Sequence, residues 1–298
     1  MRLLPCLITS AVLSFSALPS RAEILVKSGE SIAFMGDSIT YMGAFSKYSG
    51  TYFGAENPGG YVRLVGTGLA AQGIDVTLIP AGWSGNVSHH MLGRLEKDVL
   101  SKKPTWMTLS CGVNDVMHSA VELEPYKTAI TTILDKCQAA GVKVLVLTAT
   151  QIGLPVTNPG NTKLAGYNDF LRETAKARNL PLADVSAAMA AEQERLENAG
   201  IKRVLTTDGV HMNIYGDIMM AKTVLAAFGL NESQIAAAEA KWKENPALVE
   251  TGVKTKLSLA EMAALETYAA SQNKPVDAVV NELTRKTMLD AIKAAPAR

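Results

Sequence analysis

Ser38 stands in Met35-Gly36-Asp37-Ser38-Ile39-Thr40, directly after the apolar run Ile32-Ala33-Phe34-Met35. A serine at a strand end can present its hydroxyl as a nucleophile; it can equally cap the next helix or close a turn. Taken alone, the hexapeptide is compatible with either role, and the rest of the chain must decide. Attack on a carbonyl carbon needs three groups: a nucleophile, a base for its proton, and a partner that orients the base. Asp208-Gly209-Val210-His211 supplies the last two, because His211 is the only histidine with an acid three residues before it and a glycine between. That spacing lets Asp208 turn back to the imidazole Nδ1 and leaves Nε2 for Ser38. A developing oxyanion also needs preorganised donors, each worth about 3–4 kcal/mol of transition-state stabilisation. The candidates are the backbone N–H of Ser38, the N–H of Gly85 and the side-chain amide of Asn114. Gly85 suits close approach because no Cβ intrudes.

Elements must bring these distant residues together. Compact apolar runs at Ile32–Met35, Val76–Ile79, Trp106–Ser110, Val142–Leu147 and Leu182–Val185 suit strands buried on both faces. Between them lie helical stripes: Val62, Val65 and Leu69; Leu92, Leu95 and Val99; Ile130, Ile133, Leu134 and Cys137; Leu164, Tyr167 and Leu171; and a last one from Ile214 to Phe228. Such alternation predicts an α/β fold with a mainly parallel sheet and helices on both faces. In that architecture, sites form outside the carboxyl ends of the strands. Gly36-Asp37-Ser38, Ala81-Gly82-Trp83-Ser84-Gly85-Asn86 and Gly112-Val113-Asn114-Asp115 each follow a predicted strand, and Asp208 to His211 precede the last body helix. All four segments should meet on one edge of the sheet.

These four blocks, in this order, resemble the SGNH hydrolases of the GDSL esterase/lipase superfamily. The matching stretches are G-D-S-I-T around Ser38, S-G-N at Gly85, G-V-N-D at Asn114 and D-G-V-H ending in His211, spanning roughly residues 31 to 228. The resemblance implies a three-layer α/β/α flavodoxin-like fold and ester hydrolysis through an acyl-enzyme. The triad would be Ser38, His211 and Asp208, and the oxyanion hole Ser38, Gly85 and Asn114. One departure is that Ile79-Pro80 stands where members often carry an asparagine, which leaves the choice of donor between Gly82 and Gly85 open; Gly85 is favoured. Asp37 and Asp115 are expected to brace their loops. The G-x-S-x-G elbow of α/β-hydrolases is absent from the sequence.

Other features carry less. Tyr41 to Gly60 holds five aromatics directly after the nucleophile. With Trp83, its Tyr48 and Tyr52 could form a stacking platform for a sugar or an aromatic ester, or could pin a long loop to the body. His118 follows the Asn114 block closely and could line the cleft rim. His89-His90 begins a helix, where adjacent residues point to different sides, and zinc sites show tighter ligand patterns. No metal and no cofactor are expected. Gly66-x-Gly68 falls inside a helical stripe, so it is not a dinucleotide loop.

Residues 1–22 read as a signal peptide: Arg2, an apolar stretch from Leu3 to Leu18, and small residues Ser20 and Ala22 before a mature start near Glu23. Its removal deletes two of the 29 basic residues and none of the 28 acidic ones, leaving a net charge near −1 and no basic cluster. That balance argues against nucleic acid or an anionic membrane as partner. The 48% hydrophobic content befits a globular protein with a real core. Cys111 and Cys137 read as a strand end and a mid-helix position, which argues against a disulfide. After about residue 232 the strands stop. Helices are predicted at Ser233–Lys243, from the capping box Ser258-Leu-Ala-Glu261, and after Asn273-Lys274-Pro275. The expected organisation is a signal peptide (1–22), a hydrolase domain (23–232) and a C-terminal helical extension (233–298). The expected function is an exported or periplasmic serine esterase acting on small acyl esters, with O-acetyl groups on carbohydrate favoured. Lipid esters, lysophospholipids or thioesters cleaved by the same residues, or a non-catalytic carbohydrate-binding module, are the alternatives.

Overall fold

The computed structural model describes residues 23–45, 56–117, 121–155, 157–201, 204–245 and 258–295. A five-stranded parallel sheet forms its centre, with strand order β2-β1-β3-β4-β5. The strands are β1 (Ser31–Gly36), β2 (Thr77–Gly82), β3 (Trp106–Ser110), β4 (Lys143–Leu147) and the short β5 (Leu182–Ala183). Ile32, Ala33, Phe34 and Met35 of β1 and Met107 of β3 are fully buried, as central strands covered on both faces require.

The helices of the body are α1 (Ser38–Ala44), α2 (Tyr61–Ala70), α3 (Ser88–Asp98), α4 (Val113–Met117), α5 (Leu123–Ala139), α6 (Pro159–Ala177), α7 (Val185–Asn198), α8 (Ile214–Ala227) and α9 (Glu232–Glu244). From β1 the chain steps outward to β2 and then crosses back over β1 to β3. Right-handed crossovers in opposite directions put α2 and α3 on opposite faces. Helices α2, α8 and α9 pack together, as do α3, α5 and α6, giving the three-layer α/β/α arrangement. Gly68 permits the close approach of α2 to α8, since a Cβ there would lie 2.5 Å from Leu225 Cδ1. The Gly66-x-Gly68 pair therefore belongs to helix packing.

Strand β2 runs three residues further than Val76–Ile79 predicts, through Pro80 to Gly82. It is an edge strand, and its N–H groups alternate between β1 and the open side. Thr77 N–H donates to Glu30 O and Trp83 N–H to Gly36 O, so odd-numbered residues face β1. Pro80, at an even position, is missing its N–H only on the open side, where no ladder bond is lost.

The chain divides into two compact units, Met1–Val249 and Glu250–Arg298. Helix α9 lies with the α/β body: Trp242 is buried, and its Nε1–H donates to Thr67 Oγ1 at 3.0 Å. The body thus extends past the boundary expected near residue 232. In the second unit, α10 (Leu259–Ser271) opens with the predicted capping box. Ser258 N–H donates to Glu261 Oε2 at 2.7 Å, and Glu261 N–H donates back to Ser258 Oγ at 3.3 Å. Helix α11 (Val276–Ala294) follows Pro275 and packs on α10. Among the described residues, no helix is long and apolar enough to cross a membrane. The proposed signal peptide lies outside the described residues.

Candidate active site

The turn after β1 is built by Asp37. Its Oδ1 accepts the N–H of Ile39 at 2.9 Å and caps α1, so Ser38 becomes the first residue of that helix. Burial drives the Asp37 carboxyl up to about 6, against the pull of the Ile39 N–H and of His211. Its role is to hold the turn that presents Ser38.

The loop entering α8 carries the other two groups. Asp208 Oδ1 accepts the backbone N–H of His211 at 2.8 Å and of Val210 at 3.1 Å, folding the segment into a tight turn. Its Oδ2 then meets His211 Nδ1 at 2.7 Å. Burial alone would raise this carboxyl; the two N–H donors and the imidazole outweigh it and bring it down to about 2. The loop after β4 props this turn, Gly153 N–H donating to Gly209 O at 2.6 Å. Across the gap, His211 Nε2 lies 2.8 Å from Ser38 Oγ. With the ring proton on Nδ1 facing the Asp208 carboxylate, Nε2 is the acceptor for the serine hydroxyl. The three groups form one continuous hydrogen-bonded chain.

Three groups are expected to serve as oxyanion donors. The Ser38 N–H, at the start of α1, has no acceptor among the described residues. The Gly85 N–H has none either. Gly85 sits exposed in the turn between β2 and α3 with φ +75°, and the space where a Cβ would stand is open. Gly82, by contrast, is packed in β2, where a Cβ would lie 2.4 Å from Tyr41 N. Asn114 Nδ2 donates to Asn86 O at 3.1 Å. That bond uses one amide hydrogen and leaves the second available. It also ties the Asn114 turn to the residue next to Gly85.

Asp115 fastens the same two loops from below. Its Oδ1 accepts both the N–H and the hydroxyl of Ser88, at 3.0 and 2.6 Å, and its Oδ2 accepts the Cys111 thiol at 3.4 Å. The expected bracing role is therefore met by side chains as well as backbone. Cys111 and Cys137 are both free and buried. His90 Nδ1 accepts the Val87 N–H at 3.4 Å at the start of α3, which engages it in the helix end. Trp83 is half-buried in the Gly85 turn, its N–H on Gly36 O at 3.0 Å. Tyr48, Tyr52 and His118 lie outside the described residues.

A profile of the GDSL-like lipase/acylhydrolase family matches residues 34–217, well over half of the chain and the whole interval that carries these groups. The chain belongs to that family. A curated relative of this GDSL-like acylhydrolase is an acetylxylan esterase of Geobacillus stearothermophilus, 25% identical over 214 residues, covering 68% of this chain and 96% of that one. The crystal structure of an acetylxylan esterase from the same organism superposes with a TM-score of 0.59 at 25% identity, over 70% of this chain and 97% of that chain. An α/β hydrolase enzyme from the metagenome of Lake Arreo, Spain, matches in fold, with a TM-score of 0.57 at 23% identity, over 70% and 98% of the two chains. This GDSL-like acylhydrolase is accordingly a carboxylic ester hydrolase.

Two further contacts of the acylhydrolase carry no motif. Asp217 of α8 accepts the Tyr61 N–H at 2.9 Å at the start of α2, and burial drives its carboxyl up to about 7 against that single bond. Arg94 of α3 reaches back to both strand ends flanking the site. Arg94 Nε also donates to Asn86 Oδ1 at 2.6 Å.

Proposed function

We propose that the protein is a serine esterase in which Ser38 is the nucleophile, His211 the general base and acid, and Asp208 the group that orients and stabilises the imidazolium. The Ser38 hydroxyl attacks the ester carbonyl while its proton passes to His211 Nε2. The resulting oxyanion is held by the N–H groups of Ser38 and Gly85 and the Asn114 amide. Collapse expels the alcohol, which takes its proton back from His211, and leaves an acyl group on Ser38. Water, activated by the same imidazole, then releases the acid. Asp208, held at about 2, remains a carboxylate throughout.

The observation that carries this reading is the unbroken chain from Ser38 Oγ through His211 (2.8 Å) to Asp208 (2.7 Å). The proposed substrate is an O-acetyl ester on a carbohydrate, supported by the acetylxylan esterase relative. The proposed setting is outside the cytoplasm, supported by the apolar leader at residues 1–22. Residues beyond 249 are proposed to be a helical appendage separate from the chemistry, supported by the division of the chain at that point.

An acyl-release screen over acetylated polysaccharides and p-nitrophenyl esters of increasing length tests it. Acetate release from a polysaccharide, abolished in Ser38→Ala, is the expected result. A preference for long acyl chains would move the substrate to lipid esters; turnover surviving in Ser38→Ala would remove the mechanism.

A further inference from the structure

The described residues include one cation that ties the end of β1 to both sides of the Gly85 turn, beside the proposed oxyanion site, while touching none of the proposed reacting groups. Arg94 projects from α3, largely buried, and spends four of its five N–H donors. Its Nε donates to Asn86 Oδ1 at 2.6 Å, its Nη1 to Ala81 O at 2.7 Å and Asp98 Oδ2 at 3.0 Å, and its Nη2 to Gly36 O at 2.8 Å. Gly36 is the last residue of β1, two before the nucleophile; its carbonyl is also held by the Trp83 N–H. Ala81 and Asn86 bracket the turn that carries Gly85. The backbone carbonyl of Asn86 is in turn the acceptor for Asn114.

We infer that Arg94 is the positioning residue of the oxyanion site. This inference rests on the proposed roles of Ser38, Gly85 and Asn114. Each of those three donors sits one or two residues, or one hydrogen bond, from a group that the guanidinium fixes. The geometry requires a planar fork: three oxygens from two strand ends and one turn are reached from a single rigid plane, with Asp98 balancing the charge. A lysine offers one ammonium on a flexible stem and cannot span them. Catalysis by preorganised donors depends on where the N–H groups stand before the oxyanion forms. Loosening the fork therefore weakens transition-state binding and leaves ground-state binding of a small ester nearly unchanged.

The test compares Arg94→Lys with the wild type and with Ser38→Ala, using p-nitrophenyl acetate turnover and inhibition by phenylboronic acid, which adds to a serine as a tetrahedral mimic. Arg94→Lys is expected to lose about 100-fold in kcat, the scale of an ångström-level misplacement. KM should stay within about threefold, the signature of an interaction made in the transition state. The boronate inhibition constant should rise in parallel with the loss in kcat. Thermal unfolding monitored alongside identifies a variant that does not fold. In that event Asn86→Leu, which removes only the side-chain acceptor, decides in its place, with a loss of about tenfold and the same parallel weakening of the boronate. A folded Arg94→Lys enzyme with wild-type kcat, or one whose kcat falls while boronate inhibition is unchanged, overturns the inference. Turnover retained in Ser38→Ala would overturn the proposed function itself, a distinct result.

Discussion

Ser38 and His211 are 173 residues apart in the chain and 2.8 Å apart in the fold. The residues between them are needed to set that distance, and the residue-scale predictions follow from it. Asn114→Ala should cost about 100–1000-fold in kcat with little change in KM, because one proposed oxyanion donor is lost and Asn86 O is released with it. A loss under about tenfold would take Asn114 out of the oxyanion site. Asp208→Asn should lower kcat by roughly two to four orders of magnitude, since the amide favours the wrong imidazole tautomer. The wild-type carboxyl sits at about 2, below its ordinary value. Whatever stability it contributes is therefore complete above the ordinary carboxylate range and is lost progressively as pH falls from the ordinary value of 3.8 through about 2. A kcat profile that declines between pH 6 and 4 would report another group. Much of this site was legible in the sequence, since Ser38, Asp208, His211 and Asn114 each stand in a short stretch beside glycine or acid. Arg94 was not, because the acceptors that tie it to the two strand ends, Ala81 O and Gly36 O, are backbone carbonyls, and a carbonyl leaves no mark on residue type.

At the scale of elements, the strands were legible where they are central. Ile32–Met35 and Trp106–Ser110 lie inside or match the observed β1 and β3, because burial on both faces demands an unbroken apolar run. Strand β2 was cut short because proline reads as a breaker until the strand is known to lie at an edge. Helix α9 was assigned to the tail because its tie to the body, Trp242 to Thr67, spans 175 residues. Two predictions concern how α2 is seated. Gly68→Ala should destabilise the fold by about 1–3 kcal/mol in denaturant unfolding, since the new methyl must displace Leu225. Asp217 has its carboxyl raised by burial to about 7. Between its ordinary value near 3.8 and 7, the unfolded chain gives up this proton while the folded chain keeps it. Native stability is therefore drawn down as pH rises through that window. Asp217→Asn should gain on the wild type in that window by at most about 1.4 kcal/mol per pH unit. Melting curves of the two proteins from pH 5 to 8 measure this; a constant difference would mean that the carboxyl ionises normally.

At the scale of the whole molecule, every group assigned to the chemistry falls within the unit that ends at Val249. A chain truncated there should keep kcat for p-nitrophenyl acetate within about twofold, the range expected for a change remote from the site. Loss of turnover with the body still folded would tie the second unit to catalysis. The sheet has one further property that no single helix or loop supplies. Pro80 interrupts the outward-facing row of amide hydrogens on β2 midway along the strand. An extended segment from another molecule that docked on this rim would lose a backbone bond at the centre of its pairing. The protein is thereby guarded against growing by strand addition, and Pro80→Val should bring concentration-dependent light scattering that the natural sequence lacks.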